Sequence, residues 1–259
     1  MANKEELYQM NKTPLVSIIT VVFNGEKYLL QTIDSVKEQT YPNLEYIIVD
    51  GGSTDRTLSI IKQNEDFISR WISEPDKGLY DAMNKGISMA KGEIVGMINS
   101  DDWYETNAVQ LVVEEYRRNP EKKIFHGDRF DVLPNGSKRA KVFETSKFKF
   151  LYYGMTYNHP SMFVHADIYK TIKYNVSLRA LSDYEFVLHN FLKHPEVFCY
   201  IEKCFVNYRL DGISGTMNFK NAILEGYLAR KNAGFNVFRN LFSVALRTLR
   251  VVIGKLKIR

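Results

Sequence analysis

Two adjacent carboxylates, Asp101 and Asp102, follow directly on an apolar run over residues 94–98 and precede two aromatic residues. The apolar run is typical of a buried strand, and ligands of open α/β sheets bind beyond the carboxyl ends of the strands. Two such acids ionise together at low cost only when a cation neutralises them. Carboxylate oxygens suit Mg²⁺ or Mn²⁺, held jointly with substrate phosphates. The pattern equally allows a helix N-cap at Asp101 or Asp102.

The elements before this pair predict how it is positioned. Three apolar runs are typical of parallel strands buried on both faces, and each ends in a polar residue. They are 14–23, 44–49 and 94–98, ending at Asn24, Asp50 and Asp101. Apolar spacing predicts helices near 26–39, 57–65 and 80–90, with a short strand at 67–72. The alternation predicts an α/β fold with a mostly parallel central sheet flanked by helices.

Beyond Trp103 the pattern changes. It predicts helices at 108–118 and 183–192, strands at 124–132, 159–164 and 199–206, and a hairpin turn at 134–137. Residues 138–149 are basic and aromatic without a clear period, and residues 172–179 are irregular. A long helical tail closes the chain. There is no internal repeat or low-complexity linker, which favours one continuous domain.

Composition excludes several classes of protein. The 259 residues are 45% hydrophobic and 25% charged, as in ordinary globular proteins. No apolar run reaches the length of a membrane span, and the polar, acidic N-terminus is not a secretory signal. Cys199 and Cys204 predict neither a disulfide framework nor a four-ligand zinc site, so we expect reduced thiols and a cytoplasmic location. The formal charge of +5 is modest, and no nucleic-acid partner is predicted.

Four segments in order between residues 14 and 104 resemble the family 2 glycosyltransferases, which are inverting, nucleotide-sugar-dependent enzymes of the GT-A fold. They are Pro14-Leu-Val-Ser-Ile-Ile-Thr20 with Asn24, Asp50-Gly-Gly-Ser-Thr-Asp55, Asp76-Lys-Gly-Leu-Tyr-Asp-Ala-Met-Asn-Lys-Gly86 and Asn99-Ser-Asp-Asp-Trp103. Three later segments resemble bacterial members that build surface polysaccharides such as lipopolysaccharide or capsule. They are His159-Pro-Ser, Ser182-Asp-Tyr-Glu and Gly212-Ile-Ser.

The resemblance implies transfer of a hexosyl or N-acetylhexosaminyl group from a UDP- or GDP-linked donor to a glycan hydroxyl. The implied acceptor is an oligosaccharide linked to polyprenyl diphosphate, handled at the inner face of the cell membrane. We expect a GT-A domain over residues 1–218, with a nucleotide-sugar half at 14–104 and an acceptor half at 105–218. Residues 219–259 would form an amphipathic helical tail.

The resemblance also implies a donor site and a metal. The donor-binding positions are Thr20, Asn24, Asp50, Asp76, Lys77, Gly78, Asn84, Lys85, Asn99, Ser100 and Asp101. A Mn²⁺ or Mg²⁺ ion would stabilise the departing diphosphate. Asp101 matches the family's direct metal ligand, and Asp102 is a ligand or a supporting group. Asn99 replaces the first acid of the family's acid-any-acid motif.

Asp50 matches the acid that binds the base or ribose; its alternative role is to cap the Gly-Gly turn. Lys85 is either a phosphate contact or part of a solvated helix face.

Inversion requires a base that deprotonates the acceptor hydroxyl. Asp183 matches the family's base, with Glu185 as the competing residue and a helix cap as the alternative role. His159 is interpreted as a metal ligand, an acceptor contact or a structural residue. Arg209 and Ser214 lie in a predicted polar loop that could close over the donor, and a plain surface loop is the alternative.

The last 21 residues carry six cations and no acid: Arg239, Arg247, Arg250, Lys255, Lys257 and Arg259. Apolar residues recur among them at spacings of three and four. This pattern is typical of a basic amphipathic helix on an anionic membrane surface. A core helix or a dimer interface is the alternative interpretation.

Two other function classes compete with glycosyl transfer. A sugar-phosphate nucleotidyltransferase shares the strand-end acids and the metal. It would need a Gly-rich, basic phosphate loop after the first strand, where this chain has Asn24-Gly-Glu-Lys27. A non-catalytic nucleotide-sugar-binding module is the third class, and the joint presence of Asp50, Asp101, Asp102 and Asp183 disfavours it.

Overall fold

The computed structural model describes residues 13–210 and 218–256. The strands are β1 (Val16–Val22), β2 (Leu44–Asp50), β3 (Arg70–Ser73), β4 (Ile94–Asn99), β5 (Trp103–Tyr104), β6 (Ile124–Val132), β7 (Lys138–Lys141), β8 (Phe163–His165) and β9 (Phe198–Arg209). The helices are α1 (Leu29–Lys37), α2 (Thr57–Gln63), α3 (Leu79–Met89), α4 (Ala108–Arg118), α5 (Lys147–Tyr152), α6 (Ala166–Thr171), α7 (Ser182–Lys193), α8 (Phe219–Asn232) and α9 (Val237–Leu256).

The nine described strands form one sheet in the order β3-β2-β1-β4-β8-β6-β9-β5, with β7 paired to β6. Strands β1 to β4 are parallel, as predicted. Their register pairs Val22 with Asp50, Val21 with Asn99, and Asp50 with Ser73. The carboxyl ends of these four strands are therefore level, which brings their polar end residues to one edge.

The second half of the sheet is mixed. Strand β8 runs antiparallel to both β4 and β6, and β9 runs parallel to β6 but antiparallel to β5. The α/β prediction is confirmed, and the parallel arrangement is confined to β1–β4 and the β6–β9 pair.

One local prediction is wrong, and two segments gain detail that the sequence did not supply. The strand predicted from residue 159 begins instead with a 3₁₀ turn, His159–Ser161, because Pro160 lacks the N–H that a strand ladder needs. Residues 138–149, which showed no period, form β7 and the start of α5. The tail is two helices, interrupted at Gly234, whose φ of 108° is a left-handed conformation that favours glycine.

Two apolar clusters cover the faces of the sheet. Successive residues of β1 alternate between them, as a strand buried on both faces requires. Each cluster contains residues from both sides of position 104, so the two predicted halves share both clusters. Ala229, Ala233 and Phe235 belong to one cluster, which anchors α8 to the domain. None of the described helices combines the length and apolarity needed to cross a membrane.

Candidate active site

The turn after β4 holds two acids with different surroundings. Asp101 is half-buried, whereas Asp102 is 1% exposed. Asp102 Oδ1 accepts the backbone N–H of Arg209 at 3.0 Å, and Asp102 Oδ2 has no hydrogen-bond partner among the described residues. Burial and the neighbouring charge of Asp101 raise the pKa of Asp102 well above its ordinary value. The charge of Arg129 opposes this rise, so the turn presents a buried acid whose charge is only partly balanced by the chain.

These residues fit a divalent cation held mainly by its substrate. An unpartnered buried carboxylate oxygen beside a second acid is a donor set of hard oxygens. No group of three His, Cys, Asp or Glu side chains suited to a metal occurs within residues 13–210 and 218–256. Mg²⁺ and Mn²⁺ sites with one or two carboxylates are completed by phosphates and water, which matches this arrangement.

Arg209 lies beside the same turn, at the end of β9 and not in the loop predicted for it. Its guanidinium lies 3.9 Å from the ring centroid of Tyr28 and 4.7 Å from that of Trp103, and it donates a hydrogen bond to Gln31. Its Nε is buried without a partner among the described residues. A guanidinium held between aromatic rings beside an acidic turn is well placed to contact phosphate oxygens.

Asp50, at the end of β2, has a closed set of partners. It is fully buried, and its carboxylate accepts hydrogen bonds from the backbone N–H and the hydroxyl of Ser53. It also accepts the Ser73 hydroxyl, from the end of β3, at 2.6 Å. The carboxylate thus fixes the Gly-Gly turn, the alternative role that the sequence allowed.

The loop after β3 places Asp76 against Gly51, at the same edge. Asp76 Oδ1 accepts the Gly78 N–H at 2.7 Å, and the Lys77 N–H donates to Asp81 at 3.0 Å. Gly78 has a φ of 107°, a conformation that starts α3. The loop is therefore held by its own Asp76 and by Asp81 of α3.

The remaining predicted donor positions differ in their accessibility. Thr20 is fully buried and accepts the Tyr46 hydroxyl at 2.9 Å. Asn24, with a φ of 51°, accepts the Thr54 N–H at 2.9 Å. Asn84 exchanges two hydrogen bonds with the backbone of Tyr174.

Three more predicted donor positions lie at or near the edge. Lys85 pairs with Glu74 at 2.8 Å, on the exposed side of α3. Asn99 and Ser100 are half-buried at the end of β4, with Ser100 beside Gly25. Asn24, Asp76, Lys77 and Asp101 are likewise donor positions whose side chains are exposed or half-exposed at the edge.

Asp183, at the start of α7, is brought to this edge by Tyr80. The Tyr80 hydroxyl, at the start of α3, donates to Asp183 Oδ1 at 3.1 Å. The Tyr184 N–H donates to the same oxygen at 2.7 Å, so Asp183 Oδ2 makes no hydrogen bond to a described residue. Burial, followed by the charge of Asp183, raises the pKa of Tyr80, which therefore stays protonated and keeps donating.

His159 joins this group through Tyr174, with 2.8 Å between its Nε2 and the Tyr174 hydroxyl. Burial lowers the pKa of His159, and the charge of Asp183 opposes that shift. Glu185 is instead bound by two amides, Asn175 at 3.1 Å and Asn232 at 2.9 Å. Of the two candidate bases, Asp183 is the one with an uncommitted oxygen. Ser214 lies outside the described residues.

Several residues that position the site were not predicted from the sequence. Tyr28, Gln31 and Trp103 hold Arg209, and Tyr80 and Tyr174 hold Asp183 and His159. Tyr80 and Trp103 stood within the quoted segments, and the signal was their aromatic character next to acids. Tyr28, Gln31 and Tyr174 carried no local signal, because their contacts are with distant parts of the chain.

The family model for glycosyl transferase family 2 matches residues 17–172. The chain is 32% identical to a hyaluronan synthase of Pasteurella multocida over 210 residues, which are 78% of this chain but 21% of the synthase. It is 31% identical to a chondroitin synthase of Escherichia coli over 219 residues, 81% of this chain and 31% of that protein. The chain thus spans less than a third of either synthase.

Solved structures share the fold at low sequence identity. Staphylococcus aureus TarS residues 1–349, determined in complex with UDP, matches with a TM-score of 0.68 and 17% identity, over 90% of this chain and 70% of that one. A mannosyltransferase from Pyrobaculum calidifontis, determined with GDP-Man and Mn²⁺, matches with a TM-score of 0.52 and 15% identity, over 76% and 62%. These likenesses identify a GT-A architecture.

Proposed function

Because the chain belongs to glycosyl transferase family 2, we propose that it is an inverting enzyme that moves a sugar from a nucleotide-diphosphate sugar to a hydroxyl of a glycan acceptor. One observation carries the proposal: Tyr80 bonds Asp183, so a carboxylate with an uncommitted oxygen joins the edge at which β1, β2 and β4 end. Glycosyl inversion needs a base opposite the leaving group, and this link supports Asp183 as that base.

The donor is proposed to be a UDP- or GDP-linked hexose or N-acetylhexosamine. The TarS structures bound to UDP and UDP-GlcNAc, and the mannosyltransferase bound to GDP-Man, support this class of donor. Asn24, Ser100 and the Asp76–Gly78 loop would line its site, with Arg209 beside the phosphates. The predicted contact from Asp50 to base or ribose would require its bonds to Ser53 and Ser73 to rearrange.

Asp183 is proposed to take the proton from the acceptor hydroxyl as that oxygen attacks the anomeric carbon and the nucleoside diphosphate departs. The hydrogen bonds from Tyr80 and from the Tyr184 N–H hold Asp183 Oδ1. They leave Asp183 Oδ2 to receive the proton. Base catalysis of this kind contributes about 10²–10⁴-fold to a rate.

Asp101 is proposed to hold Mn²⁺ or Mg²⁺, with the more deeply buried Asp102 supporting it. When bound, such an ion stabilises the negative charge of the departing diphosphate. Asp102 would supply negative charge and fix the turn through its bond to the Arg209 N–H.

The acceptor is proposed to be lipid-linked, and the protein to contact a membrane peripherally through α9. Several large apolar side chains of α9 face solvent, among them Phe238 (83% exposed), Leu249 (55%) and Ile253 (44%). Asn240 and Ser243, by contrast, are buried against the domain. A helix that turns polar side chains inward and apolar ones outward has a face suited to an apolar environment.

A screen of nucleotide sugars tests the proposed function. The purified protein is incubated with UDP- and GDP-linked sugars and Mn²⁺, with and without a short glycan acceptor, and released nucleotide is measured. We expect release from one class of donor that rises when acceptor is added and disappears in Asp183→Asn. Release of pyrophosphate instead of a nucleoside diphosphate would indicate a nucleotidyltransferase and overturn the proposal.

A further inference from the structure

A basic cleft lies away from the strand ends, between α5, the start of α7 and α9. Its volume is about 290 Å³, at the lower end of the range for small-ligand sites. Its lining includes Lys149, Thr156, Tyr184, Arg247 and Arg250. None of the predicted donor positions lines it.

Two arginines converge behind this cleft. Arg230 of α8 is fully buried beside Tyr184, and its guanidinium has no acid as a partner among the described residues. Its Nε donates to Asn240 at 3.2 Å. A Cβ on Gly226 would lie 3.4 Å from Arg230 Nη2 and would collide with Arg247 Nη1, so the two guanidinium groups are neighbours. The glycine makes this approach possible.

No acid among the described residues neutralises the positive charges of these arginines. Neither Arg230, Arg247 nor Arg250 forms an ion pair with a described residue, whereas Lys149 pairs with Glu144. Burial and the charge of Arg230 lower the pKa of Arg247. The charges of both arginines oppose the rise that burial causes in the pKa of Tyr184. Of these three arginines, Arg230 is buried, Arg247 is half-buried and Arg250 is exposed. A buried cation without an acid is costly unless an anion accompanies it.

The acids on neighbouring elements have other partners. Glu225 accepts the backbone N–H groups of residues 179–181, and Glu185 accepts the amides of Asn175 and Asn232. Asp183 bonds Tyr80. The hydroxyl of Thr156 is buried in the cleft wall without a partner among the described residues. The cleft thus offers unpaired hydrogen-bond donors and positive charge.

We propose that this cleft binds the diphosphate group of a lipid-linked acceptor, an inference that rests on the proposed glycosyl transfer. Arginine and hydroxyl donors are suited to phosphate oxygens. Leu181 and Tyr184, which line the cleft, flank Asp183, so a diphosphate held there is positioned by the helix that carries the base. The exposed apolar residues of α9 favour a diphosphate that bears a lipid.

The test measures binding of farnesyl diphosphate and of inorganic pyrophosphate to the full chain by calorimetry in EDTA, so that the metal-dependent donor site does not contribute. We expect farnesyl diphosphate to bind, and the double variant Arg247→Gln/Arg250→Gln to bind it at least about 10-fold more weakly. A control with the same charge change, Lys231→Gln/Arg239→Gln, should bind like the parent.

A second variant separates binding from folding. Thr156→Val removes the unpartnered hydroxyl at nearly constant volume, and we expect a few-fold weaker binding of farnesyl diphosphate without a lower melting temperature. Unchanged binding in both Thr156→Val and the Arg247/Arg250 variant overturns the inference. Pyrophosphate binding as tight as farnesyl diphosphate binding overturns the lipid-linked assignment.

Two further measurements distinguish this inference from neighbouring explanations. If the Arg247/Arg250 variant loses binding only to phosphatidylglycerol vesicles, the cleft serves the membrane surface and the inference is wrong. UDP binding with Mn²⁺ should be unchanged in that variant. If transfer occurs but farnesyl diphosphate does not bind, the proposed function stands without this site. If farnesyl diphosphate binds through these arginines but no sugar is transferred, the proposed function fails alone.

Discussion

The ends of β2 and β4 each bury an aspartate at the same edge of the sheet, and the two acids have opposite surroundings. Asp50 accepts hydrogen bonds from Ser53 and Ser73, so the chain itself satisfies its charge. Asp102 accepts one backbone N–H and keeps an oxygen unpartnered among the described residues. The difference separates an acid whose hydrogen bonds are supplied by the chain from an acid with an oxygen to spare, to which we assign the cation.

Other charged side chains differ in the same way, since some have partners within the described chain and others do not. Glu185 is held by two amides, whereas Asp183 keeps an oxygen uncommitted within the described structure. Lys149 has Glu144 as its partner, whereas Arg230 and Arg247 have no acid among the described residues. Groups that the chain leaves unpaired are therefore the ones we assign to ligands. The following predictions test that assignment, beginning with the largest expected effect.

Asp183→Asn should reduce transfer by about 10²–10⁴-fold, because an amide cannot accept the acceptor proton. Nucleotide binding, measured by calorimetry with UDP and Mn²⁺, should stay near the parental value. Glu185→Gln, a matched change two residues away, should keep most of the activity. A parental rate in Asp183→Asn, or a greater loss in Glu185→Gln, would reverse the distinction between the two acids.

Chelation of divalent cations should weaken donor binding. This effect should depend on the acids that follow β4 and not on Asp50 at the end of β2. We expect EDTA to lower the affinity for UDP or GDP sharply, and Asp102→Asn to reduce the gain from Mn²⁺ by about 10–100-fold. Asp50→Asn, the equivalent change at β2, should alter stability and leave the ratio of affinities with Mn²⁺ and EDTA unchanged. Equal affinity with and without EDTA in the parent would contradict the metal assignment.

A smaller effect is expected for membrane binding by the solvent-facing apolar side chains of α9. Leu249→Ser should weaken binding to anionic vesicles about 10-fold, because one large apolar side chain no longer enters the lipid interface. Co-sedimentation measures this, and nucleotide-sugar hydrolysis in solution should be unchanged. Deletion from Arg239 is a poorer test, because it removes the buried Asn240 and Ser243. Parental sedimentation of Leu249→Ser would argue for another partner of this face.

The smallest effect concerns pH. Without metal, folded Asp102 keeps its proton to a higher pH than the unfolded chain, whose carboxyl has the ordinary value of 3.8. Stability should therefore fall as pH rises from that value to the raised one, by at most about 1.4 kcal/mol per pH unit. Asp102→Asn should lack this fall. Thermal unfolding in EDTA from pH 4 to 8 measures it, and parallel curves for parent and variant would contradict it.

Local patterns in the sequence predicted much of this fold. Strands β1, β2 and β4 are continuous apolar runs, and the helix at 108–118 and the strand at 124–132 have the predicted bounds. The failures have physical causes. Pro160 interrupts a strand-like run, and the short elements of 138–152 are stabilised by packing that has no sequence period.

The candidate site was predicted less completely. The acids at the strand ends followed from the strands, but whether each acid is satisfied depends on distant partners. Ser73 reaches Asp50 from 23 positions away, and Arg209 reaches Asp102 from 107. Arg230, behind the basic cleft, carried a misleading signal, since cations on a helix usually indicate a solvated face. Only the fold shows that Arg230 is buried.

The bond from the Arg209 N–H to Asp102 has a consequence for how the protein folds. β5 pairs with the end of β9, so the turn that carries both acids is completed by the last strand of the sheet. Contacts so far apart in sequence form late, since loop closure precedes them. During synthesis, the acidic turn would stay incomplete until residue 209 leaves the ribosome. A fragment ending after β5 would thus contain every predicted donor residue and still lack the assembled site.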